Sequence, residues 1–292
     1  MSAEPSPFLN GASESLVRGS SFGQPKINAA TGGKSIPIFN TMARKILMVR
    51  MPQLLTWGAE EKEFEPGKKK FSLSLQLPSG EYMTPETIAL LKNLKEFEDH
   101  IKLTAMENSM DWFKKPKMLP EVVDALFAPM LRYPKIEGSS EPNYAKSPTL
   151  SVKIPVWDGV FKCEVFNTEG QLIFPNNTGV SISDVIPKSS QISLIMQCGG
   201  IWFAGGKFGV TWKLFQGAVR QKTQLTRGVC HIFEAGPAPV ESAPVAKADH
   251  AENLTVCDSE DEDADTEYNA VVEEAAPPVK GEIKVKKAKT KK

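Results

Sequence analysis

The stretch from Gln191 to Arg227 most constrains the fold, because it reads as two long strands joined at a two-glycine turn. Gly205 and Gly206 lie within the run from Gly199 to Phe215, and glycine adopts the positive φ of a tight hairpin turn at no steric cost. Five aromatic residues fall in positions 201 to 215, interleaved with lysines, and six Lys or Arg but no Asp or Glu lie between positions 188 and 233. The stretch therefore predicts a cationic, aromatic-rich antiparallel hairpin.

Such a hairpin suits single-stranded nucleic acid, because cations meet the phosphates while aromatic rings stack on unpaired bases. The alternative is two core strands of a β-barrel with a basic outer face. On the first interpretation, the expected cationic contacts are Lys207, Lys213, Arg220, Lys222 and Arg227, and the expected aromatic contacts are Trp202, Phe203, Phe208 and Phe215.

Strand parity divides the side chains of the second hairpin strand between two faces. Trp212 and Leu214 share an apolar face, whereas Lys213 and Phe215 share a mixed one. The apolar face predicts core, so we expect Trp212 to be structural and Lys213 and Phe215 to meet a ligand. The aromatics beside the turn, for which stacking and a core role are equally open, are Trp202, Phe203 and Phe208.

The rest of the body predicts a mainly β fold with inserted helices. Residues 70–77 alternate strictly between apolar and polar, as a half-buried strand does. Thr84-Pro85 opens a helix with a capping residue and a proline at the first helical position, and a shorter helix follows near Leu119. From Pro148 onward, short alternating runs are separated by turn residues. The pattern favours a five-stranded barrel of the oligonucleotide-binding type (OB-fold).

Aromatic residues outside the hairpin have two interpretations each. Trp57 and Trp157 fall near predicted strand ends, where an aromatic either stacks on a base or plugs the end of a barrel, and the plug is preferred. The segment from Trp112 to Lys117 pairs two aromatics with three lysines. It either lengthens a binding groove or forms an exposed basic loop.

Composition divides the chain into a disordered arm over residues 1–35, an OB-fold-like binding domain over 36–235 and a disordered tail over 236–292. Residues 39–235 hold 24 Lys/Arg against 20 Asp/Glu, whereas residues 236–292 hold 8 against 13. The body is therefore basic and the tail acidic, although the tail ends in lysines. The acidic block of the tail consists of Asp258, Glu260, Asp261, Glu262, Asp263, Asp265 and Glu267.

Catalysis, metal or cofactor binding and a membrane span are not expected. The four cysteines show no CxxC spacing, and Cys230-His231 is the only adjacent Cys/His pair. Gly205-Gly206-Lys207 fails as a phosphate-binding loop, because Ile201 and Phe208 stand where that loop needs glycine and Ser or Thr. A secretion signal and an apolar run of transmembrane length are both missing, which predicts a soluble intracellular protein.

The hairpin segment from Gly200 to Gln216 resembles the C-terminal strand pair of single-stranded DNA-binding proteins of nucleocytoplasmic large DNA viruses. That group is similar to the phage T7-type single-stranded DNA-binding protein. The run from Phe71 to Pro78 and the helix after it resemble the family's layout, so the resemblance covers residues 36–233.

The resemblance implies an OB-fold barrel with an inserted helix, in a non-enzymatic protein of viral DNA replication, recombination and repair. It also implies an acidic tail that recruits replication partners and competes with DNA. One departure is that the T7-type tail ends in acids and an aromatic, whereas this chain ends in lysines. An alternative is therefore that the acidic block and the lysine-rich end of the tail neutralise one another.

The partners expected on this resemblance are single-stranded DNA, a viral DNA polymerase or other replication proteins held by the acidic tail, and further copies of the chain. The expected location is the host's cytoplasmic viral factory or its nucleus, with packaging in the virion as a further expectation. Two other hypotheses stay open. One is a scaffold or histone-chaperone-like protein that works through Asp258 to Glu267, and the other is an RNA-binding protein with the same surface.

Overall fold

The computed structural model describes residues 6–29, 32–65, 67–176 and 179–220. Its helices are α1 (Leu16–Gly19), α2 (Pro85–Glu107), α3 (Ser109–Phe113), α4 (Pro120–Leu126) and α5 (Ile182–Val185). Its strands are β1 (Leu9–Asn10), β2 (Ser20–Phe22), β3 (Lys26–Ile27), β4 (Lys34–Ile36), β5 (Ile38–Asn40), β6 (Met48–Glu65), β7 (Lys68–Gln76), β8 (Phe127–Ala128), β9 (Leu131–Arg132), β10 (Thr149–Ile154), β11 (Val156–Trp157), β12 (Val160–Phe161), β13 (Glu164–Phe166), β14 (Leu172–Phe174), β15 (Gln191–Ala204) and β16 (Lys207–Arg220).

A closed ring of strand pairings organises the fold. β6 pairs with β7, β7 with β10, β10 with β16, β16 with β15, and β15 with β6, so the pairings return to the starting strand. The pair β10–β16 is parallel, and the other four pairs are antiparallel. The prediction of a mainly β fold with inserted helices is confirmed.

The inner face of this ring carries the core. Leu73 and Leu75 of β7 are fully buried, as the alternation of that run predicted. On β16, Trp212 is 2% exposed and Leu214 1% exposed, so the structural role expected for Trp212 is confirmed. The indole N–H of Trp212 donates to Sδ of Met130 at 3.0 Å, which gives the buried ring a polar partner.

Helix α2 begins as the sequence predicted and packs against the ring. Thr84 is the N-cap: its hydroxyl accepts from the backbone N–H of Thr87, whose own hydroxyl accepts from the N–H of Thr84. Its large buried apolar side chains recur at helical spacing, and they are Leu90, Leu94, Phe97 and Ile101. The ring of Phe97 lies 6.2 Å from that of Trp212, which joins the helix to the core.

The hairpin β15–β16 forms at the predicted turn. Gly205 and Gly206 have φ values of 54° and 79°, the positive values that a two-residue hairpin turn requires. A second glycine, Gly200, lies at a register shift of β15 and has φ 88°. A Cβ there would lie 2.5 Å from the carbonyl oxygen of Ile36, so glycine allows β4 to lie close against the hairpin.

The N-terminal segment differs from the prediction of a disordered arm over residues 1–35. In its described part, β1 pairs with β6, β4 pairs with β15, and Leu16 is fully buried. The side-chain amide of Asn93 in α2 donates to the carbonyls of Gly11 and Glu14. The few apolar side chains of this polar segment are enough to fix it because they meet an existing core.

The predicted linker and tail over residues 236–292, and residues 221–235 of the predicted binding domain, lie outside the described residues. In the part of the chain that is described, no helix is both long and apolar enough to cross a membrane.

Candidate nucleic-acid interface

An open groove with a volume of about 1180 Å³ crosses one side of the ring. Its lining comes from the strands β10, β15 and β16, from Glu98 and Lys102 of α2, and from the segment between α4 and Tyr144. Ser151 of β10 and Thr211 of the adjacent β16 contribute uncharged polar side chains to this lining. The ring thus supplies one side of the groove, and the insertion between β7 and β10 supplies the other.

Positive charge dominates the lining of the groove. The cations are Lys102, Arg132, Lys135, Lys153 and Lys207, against the carboxylates Glu98 and Asp124. The Nζ of Lys102 lies 2.8 Å from Oδ1 of Asp124, so this pair cancels locally. The formal balance of the lining is three positive charges, which suits a phosphate backbone.

Glu98 serves the architecture of the groove. Its Oε1 accepts the backbone N–H groups of Met130 and of Leu131, which line the groove. Burial raises the pKa of this carboxyl above its usual range, against the opposing effects of the two N–H bonds and Lys102. The carboxylate therefore fastens the insertion to α2.

Aromatic rings lie among these cations. Tyr133 and Tyr144 form an edge-to-face pair with centroids 4.8 Å apart, and the side chain of Tyr144 is 73% exposed. Trp202 lies across the groove on β15, half-buried. A Cβ on Gly209 would come 2.9 Å from Cζ2 of Trp202, so the glycine lets the indole lie close against β16. The groove thus offers flat faces beside positive charge.

The loop that carries Tyr144 is held by its own backbone hydrogen bonds. The N–H of Ile136 donates to the carbonyl of Glu141 at 2.9 Å, and the N–H of Asn143 donates to the carbonyl of Pro134 at 2.7 Å. Tyr144 follows directly, so its ring is presented from an ordered turn.

The structure brings some of the predicted contact residues to the groove and leaves others beside it. Trp202 and Lys207 line the groove. Lys213 lies beside Lys153 in the parallel register of β10 and β16, and Phe215 is 44% exposed two residues further on. Arg220 is exposed at the end of β16, and the remaining predicted cations, Lys222 and Arg227, lie outside the described residues, as does the acidic block from Asp258 to Glu267.

Phe208 is a correction to the predicted contacts, because it is fully buried and has no face for a base. Its ring lies 5.1 Å from that of Phe113 and 5.3 Å from that of Phe127. The physical reason is that β8 pairs with β16 at this point, which places Phe127 opposite Phe208.

Phe203 is also packed within the protein. It contacts Phe113 and Trp112 edge to face, and the Nζ of Lys34 lies 5.2 Å from its ring centroid. That ammonium donates to the carbonyls of Asp111 and Trp112, and burial followed by the charge of Lys114 lowers the pKa of Lys34. The aromatics of the segment from Trp112 to Lys117 therefore support the hairpin tip and do not lengthen the groove.

The plug interpretation of the two isolated tryptophans is wrong. Trp57 is 42% exposed, and its indole N–H donates to the side chain of Gln76 at 3.0 Å. Trp157 is 62% exposed at the tip of the β11–β12 hairpin. Neither ring fills the interior of the fold.

Sequence reasoning missed much of the groove. Arg132, Tyr133 and Lys135 lie in one short segment in which cations flank an aromatic, the same pattern that marked the hairpin. Lys153 occupies a polar position of an alternating strand. Tyr144 carries no such local signal, since it reaches the groove through the fold of its loop.

The described residues contain no cluster of three His, Cys, Asp or Glu side chains that could hold a metal ion. The thiols of Cys163 and Cys198 are buried, and burial raises their pKa to about 11 and about 12 respectively. Both are therefore protonated at neutral pH and are weak nucleophiles.

No protein-family model and no curated protein sequence matches this chain. Among solved structures, the single-stranded DNA-binding protein from bacteriophage Enc34 in complex with ssDNA overlaps 69% of this chain and 96% of its own, at 11% identity and a TM-score of 0.36. The single-stranded DNA-binding protein gp2.5 encoded by bacteriophage T7 overlaps 63% of this chain and 97% of its own, at 11% identity and a TM-score of 0.37. Overlap at this level leaves the function to be inferred from the groove itself.

Proposed function

We propose that this chain binds single-stranded DNA in the groove, without sequence preference and without catalysing a reaction. The observation that carries the proposal is a groove with five cations and two carboxylates, in which Tyr133, Tyr144 and Trp202 present aromatic rings. Positively charged grooves that track the backbone, with aromatic platforms for the bases, are the common physical basis of sequence-tolerant single-strand binding.

The strand ring supports the same proposal. We interpret β6, β7, β10, β15 and β16 as the five strands of an OB-fold barrel closed by the β10–β16 and β15–β16 pairings. The β15–β16 turn is then the loop between the fourth and fifth strands, one of the loops with which such barrels bind oligonucleotides. Lys207 follows this turn directly and lines the groove.

The physical chemistry of the groove predicts a preference for single strands. Rings reach base faces only where the bases are unpaired, and base–aromatic stacking contributes about 1–3 kcal/mol per base. The cations contribute a term that weakens with salt, because binding releases counterions from the phosphates.

The biological setting of the proposal rests on the resemblance of the hairpin sequence alone. It comprises viral DNA replication, recombination and repair, an origin in nucleocytoplasmic large DNA viruses, and a binding domain that extends to residue 235. It further comprises self-association, recruitment of a viral DNA polymerase or other replication proteins by the acidic block, and location in the viral factory, the nucleus or the virion.

The test is a fluorescence-anisotropy titration of labelled oligo-dT and of duplex DNA at two salt concentrations. We expect tighter binding of oligo-dT and an affinity that falls with salt. Tyr144→Ala should weaken oligo-dT binding about 5-fold or more, the loss of one stacked base. The matched control is Tyr82→Ala, since Tyr82 is 82% exposed in the turn Gly80–Tyr82 and does not line the groove.

Three outcomes contradict the proposal. They are equal affinity for oligo-dT and duplex DNA, equal losses of oligo-dT affinity in Tyr144→Ala and Tyr82→Ala, and tighter binding of oligo-U than of oligo-dT. The last outcome would favour the RNA-binding hypothesis.

The acidic block from Asp258 to Glu267 favours a second candidate function, that of a scaffold for basic partners. Deletion of residues 236–292 distinguishes the two. A DNA-binding protein keeps or gains affinity for oligo-dT, whereas a scaffold loses capture of histones or other basic proteins.

A further inference from the structure

The outer face of β10 and β16 continues beyond the end of the groove. Ser151, Lys153 and Thr211 line the groove, and the next outward residue of β16 is Lys213, which lies in register with Lys153 on these parallel strands. Both lysines face outward, because the neighbouring residues on each strand are buried. Phe215 is 44% exposed and is the next outward residue of β16. The interleaving of cation and aromatic that marks the groove therefore extends past it.

A short hairpin stands at the far end of this face. β11 follows β10 after one residue, and β11 and β12 are joined by Asp158 and Gly159 with φ values of 51° and 74°. Trp157 and Val160 lie opposite each other on the two strands, and they are 62% and 53% exposed. A tryptophan this exposed leaves a large flat surface in contact with water.

The opposite face of the hairpin anchors it to the body. The ring of Phe161 lies 5.0 Å from that of Phe71 on β7 and 4.8 Å from that of Phe174 on β14. These three rings pack edge to face. The hairpin thus presents Trp157 from a fixed base, as a stacking platform requires.

The position of Trp157 suits a strand that leaves the groove. It lies four residues beyond Lys153 in the chain, which is at most about 13 Å at the rise of a β-strand. Lys162, directly after β12, is exposed, as are the acids Asp158 and Glu164, and Glu164 accepts a hydrogen bond from the side-chain amide of Gln216. Beyond the groove lining, to which Lys153 belongs, this part of the surface adds two cations, Lys162 and Lys213, and these two acids.

We propose that the bound single strand leaves the groove over Lys153 and Lys213 and reaches a second stacking site made by Phe215 and Trp157. This inference rests on the proposed function, whose binding path it extends. It makes the occluded length of DNA greater than the groove alone would cover. The combination of cations with rings favours nucleic acid over a protein partner at this surface.

The test measures affinity as a function of oligo-dT length with the full chain. The parent should gain affinity in two stages as the oligonucleotide grows, within the range of about 4 to 16 nucleotides that single OB-folds cover. Trp157→Ala should leave the affinity for the shortest bound oligonucleotides unchanged and weaken the affinity for long ones about 5-fold or more. Phe215→Ala should act in the same direction.

The matched control is Tyr82→Ala, which removes an exposed aromatic ring from the turn Gly80–Tyr82 outside the groove lining and should leave every length unaffected. The extension is overturned if Trp157→Ala weakens short and long oligonucleotides equally, if it weakens neither, or if its effect is on self-association measured by light scattering. The proposed function fails separately, if the parent binds no oligo-dT at all.

Discussion

Glu98 fastens one side of the groove to α2, and its replacement by alanine should destabilise the protein. Its Oε1 accepts the backbone N–H groups of Met130 and Leu131. Loss of the acceptor for one buried N–H costs about 1–3 kcal/mol, and Glu98→Ala removes the acceptor of two. Water that enters the space left by the side chain can bond to these N–H groups in part. Glu98→Ala should therefore lower the free energy of unfolding by about 2–4 kcal/mol. Urea unfolding measures this change from the shift in midpoint at constant slope.

The matched variant is Glu98→Gln, whose amide oxygen can accept the same two hydrogen bonds. It should keep most of the stability that Glu98→Ala loses, and it should keep the affinity for oligo-dT. Equal losses in the two variants would refute the role of Glu98 as an acceptor and would leave only its packing. An unchanged stability in Glu98→Ala would refute the importance of both hydrogen bonds.

The dependence of the free energy of unfolding on pH tests the role of Glu98 a second time. Burial raises the pKa of Glu98 above its ordinary value of 4.5. Because the folded protein then holds the proton more tightly than the unfolded chain, the stabilisation is present below 4.5 and is lost as the pH rises through the folded-state pKa. Glu98→Gln carries no such proton, so its stability relative to the parent should increase across this pH window. A difference that stays constant with pH would contradict the buried-carboxyl explanation.

Three further predictions concern the core, the cations and the tail. Trp212→Ala should destabilise the protein by about 3–5 kcal/mol in urea unfolding, because the ring is 2% exposed in the core; a loss below 1 kcal/mol would contradict this. Lys207→Ala combined with Lys213→Ala should weaken oligo-dT binding and lower the log–log salt slope by about 0.7 per lost phosphate contact, and an unchanged slope in the folded variant would move the path elsewhere. Neutralising the acids from Asp258 to Glu267 to Asn and Gln should tighten DNA binding at low salt, an effect that shrinks as salt rises; identical binding at low salt would exclude competition by the tail.

Local signals in the sequence predicted the elements that depend on local chemistry. The cap formed by Thr84 and Thr87 and the turn at Gly205-Gly206 satisfy backbone requirements within a few residues, so both could be placed in advance. The burial of Trp212 followed from strand parity in the same way. These features need no knowledge of the rest of the chain.

Contacts between distant segments were beyond such reasoning. Phe208 looked suited to a base but is buried because β8, about 80 residues earlier, pairs beside it. The N-terminal segment looked too polar to fold, yet Leu9 and Leu16 are buried in the core formed by the rest of the chain. Tyr144 reaches the groove only because its loop folds back on itself.

Lysine footprinting tests most directly whether single-stranded DNA occupies the groove. Oligo-dT bound to the full chain should slow acetylation of Lys153 and Lys207, which line the groove, as read by mass spectrometry. Lys92 on α2, whose side chain is 75% exposed and lies outside the groove lining, should react at the same rate with and without DNA. Unchanged acetylation rates at Lys153 and Lys207 under saturating oligo-dT would contradict binding in the groove. Equal protection of Lys153, Lys207 and Lys92 would contradict it as well.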